Sequence, residues 1–198
     1  MKQDYFYQSN LPGRGYGTFF NGSALVEEIS ILINGLPILE EFPYKEHSLK
    51  FALPEGECQI DVFHGEEWID SAQFFIEKER NYFIAVTGRD GKADVITCGL
   101  DDHVPRGEAA ARFIHLASSQ QELDISVHKG DVVFPSLPYC RVTDILALTP
   151  ASYNLEARLA GTKTVILPMH DAVFEKNQAY LVCIVEGDGK LKAVFIPY

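Results

Sequence analysis

The chain has 198 residues, 46% of them hydrophobic, which is enough for one large β domain or two small packed cores and excludes disorder along its whole length. A formal charge of -11 argues against a surface for nucleic acid or anionic lipid, since such surfaces are built from clustered Lys and Arg. The longest apolar runs, such as 180–185, fall far short of the roughly 20 residues that a membrane-spanning helix needs.

Residues 1–16 form an arm rich in aromatics and glycine, with Tyr5, Phe6, Tyr7 and Tyr16 beside Gly13 and Gly15. Its start has no apolar core segment and no small-residue cleavage site, so no export signal is expected and the cytoplasm is the compartment by sequence. Tyr5, Tyr7 and Tyr16 are candidate binding residues, through strand addition at a sheet edge or by folding over the domain.

A first unit follows over 17–101. It carries 6 basic and 16 acidic residues, which is most of the net charge of the chain. Asn21-Gly22-Ser23 has the form of a glycosylation sequon but no secretory context. Cys58, Ile60 and Val62 alternate with Glu57, Gln59 and Asp61, the pattern of a strand with one buried face. Trp68, the only tryptophan, stands in an alternating run near Ile69 and Ala72. Core or inter-domain packing is its expected role, and an exposed carbohydrate platform is the alternative. Glu27-Glu28, Glu40-Glu41 and Glu66-Glu67 read as solvated charge, since they lack the Asp/Asn/Gly ladder of a calcium loop. Asp90-Gly91 between two apolar runs predicts a two-residue hairpin turn.

Residues 102–108 form a short polar linker punctuated by Pro105 and Gly107, too short for free tumbling, so the flanking units are expected to touch or hold a restricted angle. Cys98, Asp101, Asp102 and His103 place four potential metal ligands within six residues there. Their spacing matches no zinc pattern, and hard and soft donors are mixed, so they are metal candidates only against a solvated-linker expectation.

The second unit, 109–198, has 8 basic and 9 acidic residues. Strands are predicted near 112–116, 123–128, 132–137, 142–148, 152–158, 164–168, 178–185 and 191–196, with Asp188-Gly189 as another hairpin turn. No helix of useful length emerges.

The two units are copies. Phe42-Pro43-Tyr44 recurs as Leu137-Pro138-Tyr139 at an offset of 95, and Gly35 falls on Gly130 at the same offset. Beyond the Cys58 strand the offset becomes 98, which brings Tyr82 onto Tyr180 and Asp90-Gly91-Lys92 onto Asp188-Gly189-Lys190. A loop insertion of three residues explains the step. Unrelated strands do not hold one offset over such lengths, so the chain is a duplication. Short β-rich runs with turn residues at close spacing give the fold class: all-β, two tandem immunoglobulin-like antiparallel β-sandwich domains.

In the second copy, Arg112-Phe113-Ile114-His115, Leu123-Asp124-Ile125-Ser126-Val127, Leu137-Pro138-Tyr139 and Arg158-Leu159-Ala160-Gly161-Thr162 resemble the pattern of the domain of unknown function 4397 family. The resemblance covers about 17–198 as two units and is stronger in the second. It implies a bacterial or archaeal sandwich unit, often in tandem and often at the cell surface, with no established activity. The first copy departs from the pattern: Asn21 stands where the second copy has His115, and the Arg-x-Ala-Gly-Thr step is absent.

His115, on a strand near Arg112 and Asp124, is a candidate binding residue and the one place where a His/Asp pair is conceivable. Ser118 and Ser119 lie in no nucleophile elbow, so no catalytic residue and no cofactor are assigned. The four cysteines show no CxxC spacing and no equivalence between copies; free thiols are expected, with Cys140, beside the Pro-Tyr step, the one to test for reactivity. The functional expectation is a non-enzymatic binding or scaffold protein with a protein or glycan partner at a bacterial envelope. The alternatives are a hydrolase or metal-dependent enzyme at His115 or the junction, and a structural assembly subunit, which leaves oligomerisation open.

Overall fold

The structure, a computed structural model, describes residues 13–100 and 103–198. Its elements are all strands. The first half contains β1 (Arg14–Asn21), β2 (Glu28–Ile33), β3 (Leu36–Pro43), β4 (Phe51–Pro54), β5 (Gly56–His64), β6 (Glu67–Ile76), β7 (Asn81–Arg89) and β8 (Lys92–Leu100). The second contains β9 (Ala109–His115), β10 (Leu123–Val127), β11 (Val132–Leu137), β12 (Leu146–Leu148), β13 (Ala151–Leu159), β14 (Val165–Phe174), β15 (Ala179–Glu186) and β16 (Leu191–Pro197). Among the described residues no helix is long and apolar enough to cross a membrane.

Four sheets of four strands form two sandwiches of identical topology. In the first, β4-β1-β7-β8 packs on β3-β2-β5-β6; in the second, β12-β9-β15-β16 packs on β11-β10-β13-β14. Two details differ from a purely antiparallel sandwich with a separate arm. The first strand of each copy runs parallel to the seventh, Phe19 beside Ile84 and Phe113 beside Val182. Residues 14–16 are not part of an arm but the start of β1, with Arg14 opposite Pro54 and Tyr16 opposite Asn81. The duplication extends to turn geometry: Lys45 and Cys140, each following a Pro-Tyr step, share a positive φ (69° and 59°), and their amides donate to Asn21 O and His115 O, both at 2.7 Å.

Alternation along the central strands explains why 82–86 of β7 and 179–185 of β15 are apolar without interruption. Tyr82, Ile84 and Val86 point into the first core, where they meet Ile31, Ile60 and Val62; Tyr180, Val182 and Ile184 do the same in the second. Their neighbours Phe83 and Ala85, and Leu181, Cys183 and Val185, point the other way into a third core shared between the sandwiches with Phe20, Ile114 and Leu116. Strands buried on both faces lose the polar half of the pattern. Phe20 and Phe83 stack there with centroids 5.9 Å apart, and burying one such ring is worth about 1.5–3 kcal/mol.

The interface is reciprocal. Tyr44 of the first Pro-Tyr step donates its hydroxyl to Glu186 O at 2.7 Å, while its counterpart Tyr139 shares a 2.8 Å hydrogen bond with Thr87 Oγ1. Burial pushes both phenols up to about 12, so each stays a neutral hydrogen-bonding group. Arg112 adds a further tie, from Nη1 to Gly99 O. The chain is therefore a four-layer stack, with the outer faces of two sheets left to solvent.

Candidate functional site

The outer face of the first sandwich is built by β5 and β6. Cys58, Ile60 and Val62 turn inward, so Glu57, Gln59 and Asp61 turn outward, opposite Phe75, Gln73 and Ser71 of β6. Strict alternation would then send Trp68 inward, as the even-numbered residues of β6 face the even-numbered residues of β5. A β-bulge between Val62 and Phe63 shifts the register, places Trp68 opposite outward-facing Phe63, and turns Ile69 onto the core instead. Trp68 is 57% exposed, which corrects the packing role expected from sequence.

Its ring is held by a chain of polar contacts. Trp68 Nε1 donates to Ser71 Oγ (3.1 Å), Ser71 Oγ to Asp61 Oδ1 (2.6 Å), and Gln59 Nε2 to the same oxygen (2.8 Å). Gln73 Nε2 extends the row to Gln59 Oε1 (3.3 Å). A groove of about 410 Å³ continues along the face, lined by Asn34, Glu57, Gln59, Gln73 and Phe75, the last being 59% exposed. An exposed indole, a second exposed ring and a row of amides and carboxylates make an amphipathic platform: rings offer flat apolar area, and the row offers donors and acceptors.

The other residues singled out by sequence are dispersed. Tyr5, Tyr7, Asp101 and Asp102 lie outside the described residues. Tyr16 is part-exposed on β1, its amide donating to Arg80 O at 2.8 Å. His103 is exposed. Cys98, by contrast, faces the shared core, and burial pushes its thiol up to about 11 against the opposing influence of Arg112. A thiol in that setting is a poor metal ligand, because the ligand is the thiolate. Among the described residues no group of three or more His, Cys, Asp or Glu side chains is placed to hold a metal.

His115 is fully buried. Its Nδ1 accepts from Ala117 N (3.3 Å), so Nε2 carries the proton and donates to Gln121 O (2.6 Å). Burial lowers its pKa, opposed by that carbonyl. No His/Asp pair forms: the Asp124 carboxylate accepts instead from the amides of Ser136 (2.8 Å) and Gly161 (2.9 Å). Ser119 is likewise committed, to Glu186 through its amide and its hydroxyl. His115 and Asp124 thus brace the loops around a cleft of about 910 Å³ at the rim between the sandwiches, where Tyr139, Gly161 and Arg89 meet. The four cysteines are free thiols, and burial raises Cys140 too, which runs against heightened reactivity at that position.

Sequence reasoning passed over one cluster. Glu156 occupies in the second sandwich the place of Asp61 in the first, 95 residues earlier, yet it is only 2% exposed. Arg158 pairs with it from the same strand, Nε to Oε1 at 2.7 Å, and His128 Nδ1 reaches Oε2 at 2.9 Å. The signal available was the Glu-x-Arg spacing on one face of β13, which alternation brings together.

The family model described as a domain of unknown function (DUF4397) matches residues 16–126, more than half of the chain. The match runs from β1 through the whole first sandwich and ends at Ser126 in β10, so the Pro-Tyr and Arg-x-Ala-Gly-Thr steps of the second copy lie beyond it. No curated protein matches the chain.

Proposed function

The chain belongs to the domain of unknown function 4397 family, and from that premise we propose that it is a non-enzymatic binding module whose first sandwich takes a neutral glycan on its outer face. The observation that carries the reading is Trp68: exposed by a bulge, and held in orientation by the Ser71-Asp61-Gln59 row. A large exposed aromatic in a polar frame is an expected feature of a recognition surface. Sugar rings offer an apolar face for an indole and hydroxyls for Gln and Asp side chains. The acidity of the first unit disfavours anionic polymers and so favours neutral ones. The envelope setting implied by the family resemblance supplies such polymers.

Because Trp68 is the only tryptophan, its emission reports the face without background. Titration with neutral oligosaccharides retained on a glycan array is expected to shift and saturate that emission, and Trp68→Ala is expected to lose binding while its unfolding free energy stays within about 0.5 kcal/mol of wild type, as for an exposed side chain. An array that retains no glycan, or a Trp68→Ala protein that still binds, overturns the reading.

A further inference from the structure

We propose that His128 and His170 form a binding site for a divalent transition-metal ion on the second sandwich. The argument starts from Glu156. An ionised carboxylate can only accept hydrogen bonds, so the 2.9 Å contact from His128 Nδ1 places the proton on Nδ1 and leaves the lone pair of the neutral ring on Nε2. Arg158 supplies the counter-charge of this carboxylate, donating from Nε to Oε1 at 2.7 Å. Nε2 lies on the side of the ring away from Glu156, and the side chain is 36% exposed and borders a cleft of about 590 Å³. A second imidazole is close by: His170, exposed on β14, has its ring centroid 5.9 Å from that of His128 with the planes at 66°.

The spacing suits a shared ion. Metal–nitrogen bonds of about 2.0–2.1 Å set two ligating rings about 4.5–6.4 Å apart, centroid to centroid, for coordination angles from about 90° to about 180°. A buried carboxylate on the far nitrogen is the usual orienting partner of a metal-bound histidine, fixing tautomer and ring direction. Two imidazoles with the remaining positions left to water favour the ions that prefer nitrogen donors, and Cu²⁺ binds such sites most tightly of the divalent series. No third His, Cys, Asp or Glu among the described residues joins the pair, so the bound ion keeps exchangeable water. The position of His128 in the first copy is held by Ile33, so the site belongs to one sandwich only.

The test is titration of the full chain with Cu²⁺, followed by electron paramagnetic resonance. Wild type is expected to show a saturable centre whose superhyperfine structure reports two imidazole nitrogens. His170→Gln, an exposed substitution that leaves Glu156 paired, is expected to weaken that centre at least about tenfold and remove one nitrogen, with unchanged stability. His128→Gln is expected to remove the other nitrogen with a similar loss of affinity. A wild-type chain with no saturable two-nitrogen centre, or a His170→Gln protein whose centre and affinity match wild type, overturns the proposal. His47, His64, His103 and His115 remain in both variants and serve as the background.

Discussion

Replacing Glu156 with methionine takes away a carboxylate that neutralises Arg158, itself buried on β13. The guanidinium would keep its bonds to Gly130 O (3.1 Å) and Val127 O (3.3 Å) but no counter-charge. Removing one partner of a buried ion pair costs about 3–5 kcal/mol, whereas replacing both by apolar groups of similar volume is often near neutral. Glu156→Met is therefore expected to lower stability by about 3–5 kcal/mol, and Glu156→Met/Arg158→Met to recover most of that loss. At about 2–4 °C per kcal/mol, the single variant should melt about 6–20 °C lower. Urea unfolding of wild type, both single variants and the double variant gives the coupling directly. The pH dependence is a second readout. The pKa of Glu156 is held below its ordinary 4.5, so its contribution is present above that value and is lost as pH falls through the folded value; the double variant should lose less stability below pH 4.5 than wild type does. A single variant within about 1 kcal/mol of wild type, or a double variant worse than the sum of the singles, refutes the reasoning.

Two further outcomes follow from buried hydrogen bonds. Tyr139→Phe leaves the fully buried Thr87 hydroxyl without its partner across the interface and should cost about 1–3 kcal/mol in thermal unfolding; a cost near zero would mean that the hydroxyl pair does not hold the sandwiches together. His115, with its pKa lowered below the ordinary 6.5, binds fewer protons folded than unfolded, so stability falls as pH drops below 6.5 toward its folded value. A stability–pH series of His115→Gln should be flatter than wild type in that window, and an identical slope would show that the ring titrates freely in the fold.

Much of the architecture was legible because it rests on neighbours in sequence. Alternation such as Cys58-Ile60-Val62 names a strand and its buried face, and a constant offset between copies names the duplication, whatever the distant contacts are. The Pro-Tyr steps were recognisable as shared architecture on the same ground. The Glu156-Arg158-His128 cluster was not, because one of its three members comes from the turn after β10, and ion pairing depends on that meeting rather than on spacing.

Trp68 marks where such reading ends. Composition and pattern identified it as the single tryptophan of an alternating strand, and alternation assigns it to the core; one extra residue at a bulge reverses its face. A period of two carries no record of a slip by one, so only strand pairing could decide between core and platform. The same holds for β7 and β15, whose unbroken apolar runs were visible in sequence, while the layer that covers their second face appeared only once the two sandwiches were stacked. What the sequence determined by itself was two copies of one sandwich; which faces are buried between them, and which remain open to a ligand, was decided by tertiary packing, because burial belongs to pairs of surfaces and not to a strand alone.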